Sequence, residues 1–251
     1  RSKLENRPSV WMLSQRSMRG YWGDRVCPDN EIIGRLAADH LSARGHKRIA
    51  YLYFNATHMG FRGRAEAFCE TAEEYGVQVD LIPNHPQSVQ PGSREEHGPE
   101  ATEKLVDELL ALDPRPTAVF VPRDRLTVKV YRALRRRGIE PGRDIEIVSC
   151  DNEPILEALD PRPATIDVRP ELIGRRAVDQ LAFKMSKPAD STRSLVTVEP
   201  VLIGPDESEI VSQRQGTPAA EDTSPLASRS TRNGSPIGGE HTTTTGLNGA
   251  S

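Results

Sequence analysis

Residues 116–152, PTAVFVPRDRLTVKVYRALRRRGIEPGRDIEIVSCDN, decide the fold. Ala118–Val121 is a continuous apolar run, residues 125–137 have helical spacing with Gly138 as a stop, and Ile145–Cys150 is apolar again. Two short apolar runs separated by a helix predict neighbouring strands of a parallel sheet. Each strand ends on an aspartate: Asp124 follows the first and Asp151 the second. In an open parallel sheet, ligands sit beyond the carboxyl ends of the strands, so carboxylates there are placed to grip something polar.

The pattern extends in both directions. Asp29 or Asn30 can cap a helix through about Arg44, with Ile32, Ile33, Leu36, Ala37 and Leu41 at helical spacing and Gly45 as its end. Lys47–Phe54 contains the buried-strand run IAYLYF, a helix follows over 61–75 up to Gly76, and Val77–Ile82 is another strand. Residues 83–99 form a long loop of Pro, Gly, His, Ser and Glu, a length compact domains reserve for functional or mobile segments. Pro99 or Glu100 opens a helix through Leu112. This alternation predicts βαβ units. At the start, SVWML over 9–13 reads as a strand, followed by a loop rich in Arg, Gly and aromatics through Asp29. After Asp151, residues 152–163 are irregular, Ala164–Val168 is a short strand, Pro170–Met185 a helix, and Leu195–Ile203 a last apolar run. From about Ser212 the chain is too poor in large apolar residues to offset the entropy of ordering, so a disordered tail is expected over 212–251.

The 251 residues suit one large domain or two lobes, and the net charge of −3 gives the whole chain no basic field for nucleic acid. No apolar run approaches the ~18–20 residues of a membrane span, and RSKLENRPSV has no apolar leader region. Cys27, Cys69 and Cys150 are odd in number and fit no metal spacing, which predicts reduced thiols, a cytoplasmic setting and no metal. The first methionine is Met12, so the chain reads as a fragment or a processed product.

The candidate site residues follow from position. Asp124 can be a helix N-cap, a ligand contact or both, and Arg123 before it is either a solvated charge or a cleft residue. Asp151 closes a strand expected to be central. Arg64, in RAEAF, can cover apolar surface or pair with Glu66 or Glu70, but joins Asp124 and Asp151 if the cleft lies where the sheet places it. An arginine fork with two carboxylates suits a polyhydroxyl or heterocyclic molecule better than a phosphate. Asn55 and His58 fall in the loop after the IAYLYF strand and are further cleft candidates. His40 and His46 flank a helix end and read as structural; His85, His97 and His241 complete a set with no ligand spacing. GxGxxG, GxxxxGK[ST] and GxSxG are all absent, so no phosphate loop or hydrolase nucleophile is indicated. Trp11, Tyr21 and Trp22 can stack on a sugar face or pack in a core.

Five segments together resemble the sensor domain of LacI/GalR transcription regulators: DNEIIGRLAADHLSARGHKRIAYL, RAEAF…GV, PTAVFVPRDRLTVKVYRALRRRGI…DIEIVSCDN, ATIDVRPELIGRRAVDQLAFKM and VTVEPVLIGPDES. The resemblance covers about Ser9–Ser208 and rests on order rather than on one diagnostic motif. It implies a periplasmic-binding-protein-like α/β fold of two Rossmann-like lobes with parallel sheets, the N-terminal lobe incomplete. On that reading residues 1–28 are a remnant of the N-terminal lobe, 29–151 the C-terminal lobe, 152–194 a return to the first, and 195–211 the final strand of the second. The chain then crosses between lobes three times, and the incomplete lobe exposes apolar surface, which predicts self-association.

The resemblance further implies that Arg64 binds the effector, that Asp124 follows the cleft residue, and that Asp151 takes a hydroxyl or ring nitrogen. The family usually has Asn where this chain has Arg123, a change favouring an acidic sugar or an anion; Ala67 replaces a usual glycine, and the usual Arg is missing from GPDES. The implied function is a homodimeric regulator with no cofactor and no catalytic residue. A small-molecule effector, a sugar or sugar acid, would control its DNA binding through a helix-turn-helix that these residues do not contain. The alternatives are a solute-binding protein of a sugar transporter, and an enzyme on a doubly wound sheet using Asp124 and Asp151.

Overall fold

The computed structural model describes residues 7–13, 22–55, 58–83, 99–187 and 192–205. Helix and strand alternate through most of them. Helix α1 (Asn30–Ala43) is capped by Asp29, whose Oδ1 accepts from the Ile32 amide at 3.1 Å. Strand β3 (Arg48–Phe54), helix α2 (Met59–Glu74), strand β4 (Gln78–Pro83), helix α3 (Pro99–Leu110), strand β5 (Ala118–Phe120), helix α4 (Asp124–Arg136) and strand β6 (Glu146–Cys150) follow. The last elements are strand β7 (Ala164–Asp167), helix α5 (Pro170–Ser186), and strands β8 (Leu195–Val198) and β9 (Val201–Ile203). Strands β1 (Val10–Met12) and β2 (Asp24–Pro28) precede them all.

Six strands form one sheet in the order β4-β3-β5-β6-β7-β9, parallel except for the β7–β9 pair. Alternation along β3 sends Ile49 and Tyr51 to one face and Ala50 and Leu52 to the other. The first pair joins Ile33, Leu41 and Phe68 of α1 and α2; the second joins Leu109, Leu126, Val130 and Leu134 of α3 and α4. Each large side chain so buried contributes roughly 1.5–3 kcal/mol of transfer free energy. The chain runs outward from β3 to β4, then returns to place β5 on the other side of β3. That reversal is the switch point where a doubly wound sheet opens a crevice.

A second sheet, β1-β2-β8, is parallel and packs α5 through Val26, Ile173, Ala177 and Val198. It is small and exposes Met12, Leu13, Val178, Phe183, Met185 and Leu195. Buried Asp24 accepts from Gln180 Nε2 at 2.7 Å and from the Ser194 amide at 2.8 Å.

Three expectations need correction. The loop expected through Asp29 contains strand β2, concealed by Asp24, Arg25 and Pro28 within a five-residue run. Ala164–Asp167 does not return to the small lobe: all four residues are buried in the large sheet, paired with β6 and β9. The run Leu195–Ile203 is not one strand of the large lobe. It breaks at Pro200, which has no amide to donate, so β8 completes the small sheet and β9 the large one. The lobe boundary at Asp29 is therefore kept, and the other two fall near Val168 and Glu199 instead of at 152 and 195. Residues 84–98, the segment from Asp206 onward, and Tyr21, His85, His97 and His241 lie outside the described residues.

Candidate functional site

A cleft of about 660 Å³ lies beyond the carboxyl ends of β3, β5 and β6. The large lobe lines it with His58, Phe61, Arg64, Arg123, Lys129, Asp151 and Glu153, among others; Leu13, Pro28 and Val168 line it from the small lobe and the crossings.

Arg64 is buried and fixed from three directions. Its Nε donates to Asn30 Oδ1 at 2.8 Å, and its Nη1 reaches the Pro122 carbonyl at 3.1 Å and Cys150 Sγ at 3.5 Å. These partners come from α1, the turn after β5 and the end of β6, so one side chain gathers the whole upper edge of the sheet. Helices α1 and α2 approach closely enough to hold it there because position 34 is glycine: a Cβ would stand 2.1 Å from the Arg64 carbonyl oxygen.

Phe61 forms a platform. The Arg123 guanidinium carbon lies 4.8 Å and that of Arg64 5.4 Å from its ring centroid, and the His58 ring is tilted 33° against it at 4.5 Å. Both cations face a π cloud that attracts them. His58 also caps α2, its Nδ1 accepting from the Phe61 amide at 3.3 Å.

Asp151 sits on the cleft floor with φ of 114°, followed by Asn152 at 55°. These left-side backbone conformations are costly for residues with a Cβ and mark a constrained site. Burial pushes the Asp151 carboxyl up to about 6, against the pull of the Arg64 and Arg123 charges.

Asp124 is not in the cleft. It is fully buried and behind the wall, with Oδ2 taking the Glu153 amide at 2.6 Å and Oδ1 meeting Ser149 Oγ and, at 3.1 Å, Thr165 Oγ1. Its expected effector role is therefore replaced by a clamp between α4, β6 and β7. Nor does it cap α4, whose N-cap is Arg123. Asn55 belongs to the turn before α2, where its carbonyl accepts the His58 amide at 3.3 Å, and it is not a lining residue. Trp11 and Trp22 pack edge to face at 5.0 Å in the small lobe and do not line the cleft either. His46 and His40 sit at the opposite end of the sheet on Glu146.

Sequence reasoning missed Phe61, Lys129 and the ion pair Arg125–Glu153, 2.9 Å apart on the rim. Phe61 had one legible signal, its place three residues after His58 at the start of a helix. The cysteines are free, with Cys27 and Cys150 buried.

Three crossings between a large and a small sheet, with the cleft where they meet, are the layout of the two-lobed binding-protein class. Residues 38–203 match the periplasmic binding protein-like domain family, and the chain belongs to that family. Its curated relatives are named as regulators. The HTH-type transcriptional repressor PurR of Mannheimia succiniciproducens is 29% identical over 189 residues, covering 72% of this chain and 54% of that protein. The HTH-type transcriptional regulator DegA of Bacillus subtilis is 32% identical over 145 residues, 57% of this chain and 40% of its own. The chain spans about half the length of the curated relatives it matches. Among solved structures, a LacI family transcriptional regulator from Enterococcus faecium with bound ribose superposes with a TM-score of 0.64 at 23% identity, covering 78% of this chain and 68% of that one. A periplasmic binding protein/LacI transcriptional regulator from Alkaliphilus metalliredigens, complexed with D-xylulofuranose, gives 0.61 at 22%, covering 78% and 68%. These likenesses establish the fold.

Proposed function

We propose that this chain is the effector-sensing part of a LacI-type transcription regulator, binding a sugar-like molecule in the cleft and acting on DNA through a segment outside these residues. The observation that carries the reading is the make-up of the cleft. Arg64 and Asp151 come from the large lobe, while Leu13 comes from the small one, so a ligand there touches both. Its affinity then depends on how the lobes are arranged, which is the condition for a ligand to shift a conformational equilibrium. Relatives named as repressors favour this output over transport. The reading has no chemical step: Asp124, which a catalytic role would need, has both oxygens engaged inside the fold. A homodimer in the cytoplasm is the setting in which such a regulator works. Among the described residues, no helix is long and apolar enough to cross a membrane.

The test is calorimetric titration of the full chain with sugars and sugar acids, paired with operator gel shifts on the protein at its natural length. Binding lost in Arg64→Ala, with a ligand-dependent gel shift, is the expected result. Turnover of a bound sugar that stops in Asp151→Asn would refute the sensor reading.

A further inference from the structure

Arg123 breaks a local rule. It occupies the N-cap of α4, where Ser, Thr, Asp or Asn would accept from the first helix amides, and its side chain makes no cap hydrogen bond. A cation at the amino end of a helix also has the wrong sign for the helix dipole. The guanidinium is instead laid over Phe61, on the wall of a ligand-sized cleft. A residue that weakens its own helix while facing such a space points to what it holds there.

The charge of the wall says what that is. Arg64, Arg123, Arg125 and Lys129 line the cleft with Asp151 and Glu153, four cations to two carboxylates. The balance is positive, with one deep carboxylate in Asp151 able to accept from hydroxyls. We infer that the ligand is a polyhydroxy carboxylate, a sugar acid, whose carboxylate is taken by Arg123 and whose hydroxyls are taken by Asp151 and Arg64. The inference rests on the sensor reading above and narrows it.

A planar guanidinium matches a carboxylate in two parallel hydrogen bonds, which an ammonium cannot do. Stacking on Phe61 holds that plane in advance, so less side-chain freedom is lost on binding. A cleft of about 660 Å³ is ample for a hexose-sized acid.

The experiment is calorimetry at low salt on the full chain with D-glucuronate, D-galacturonate and D-gluconate. D-glucose, D-galactose, D-ribose and D-glucose 6-phosphate are run alongside. At least one acid is expected to bind about tenfold or more tighter than every neutral sugar. Arg123→Asn is expected to erase that preference while its melting temperature holds or rises, because asparagine is a good N-cap. Arg123→Lys keeps the charge and is expected to retain part of the preference, which separates charge from fork geometry and serves if the first variant folds poorly. Neutral sugars binding equally in wild type and Arg123→Asn would overturn the acid inference and leave the sensor reading standing. Tighter binding of the phosphate than of every acid, or binding of no acid, would also overturn it. Turnover of a sugar would remove both.

Discussion

The Glu153 backbone amide donates to Asp124 Oδ2 at 2.6 Å, tying the loop after β6 to the first residue of α4. The other oxygen accepts from the Ser149 hydroxyl. Thr127 Oγ1 donates to the Arg123 carbonyl at 3.1 Å and stands 2.7 Å from Ser149 Oγ. Ser149 gives its single proton to Asp124 and can accept from Thr127 in turn, so these hydroxyls favour the charged carboxylate. Burial outweighs them, pushing Asp124 up to about 7 against the hydrogen bonds from Ser149 and Glu153.

An amide keeps a carbonyl for the Glu153 amide and has no charge to bury, and the Ser149 and Thr165 hydroxyls can turn to accept from its NH2. A carboxyl whose folded pKa is raised from 3.8 to about 7 stabilises fully below 3.8 and loses that contribution as pH rises through about 7. Asp124→Asn should therefore melt like wild type near pH 4 and above it near pH 8; parallel melting profiles across that range would refute a burial-raised Asp124. Asp124→Ala orphans the buried donors and should cost about 2–4 kcal/mol in denaturant unfolding at any pH.

Glu146 titrates in the opposite sense. Burial alone would raise it, but hydrogen bonds from His40, Arg44 and His46 outweigh that and hold it at about 2. Its contribution is present above the ordinary value of 4.5 and is lost as pH falls from there through about 2. Glu146→Gln should lower stability near pH 6 by about 1–3 kcal/mol, as expected for hydrogen bonds to a charged group. It should also flatten the acid limb of unfolding; an unchanged acid midpoint would contradict the assignment.

These two carboxylates also show where sequence stops being legible. The large sheet could be read because its signals are local: Asp29 before an apolar helix, Gly45, Gly76 and Gly138 after helices, unbroken apolar strands between them. Arg64, Arg123 and Asp151 could be placed at the cleft because strand ends in such a sheet converge there. Asp124 could not be separated from Asp151, since both follow strands and only the tertiary positions of Ser149, Thr165 and Glu153 put one behind the wall while the other stays on the cleft floor. Phe61 and Lys129 reach the cleft through the facing of α2 and α4, which local pattern does not fix. The lobe membership of β7 and β8 depends on pairings between residues as distant as Arg25 and Leu195.

Gly34 tests whether helix packing sets the site. A methyl group there would meet the Arg64 carbonyl oxygen at 2.1 Å and the Phe68 amide nitrogen at 2.9 Å, both backbone atoms that cannot swing aside. Gly34→Ala should push α2 away from α1, costing about 1–3 kcal/mol as overpacking does. Because Arg64 and Phe61 ride on α2, ligand affinity should fall even though the substituted position does not line the cleft. Calorimetry on the folded variant reads this directly, and wild-type affinity would show that α2 can shift without moving the site.

Asp151 tests whether the cleft floor trades stability for binding. Its φ of 114° suits glycine better than aspartate, and its buried carboxyl is raised to about 6. Asp151→Gly removes backbone strain of order 1–3 kcal/mol and a charge that is costly to bury, offset in part by ~0.5–1 kcal/mol of added chain entropy in the unfolded state. The carboxyl's contribution is present below 3.8 and is lost as pH rises through about 6. The gain in Asp151→Gly should therefore be larger at pH 7 than at pH 4. Thermal melts should show the variant as stable as wild type or more so, while calorimetry shows ligand binding weakened at least about tenfold. A variant that melts well below wild type at pH 7 would mean that Asp151 holds the fold rather than the ligand.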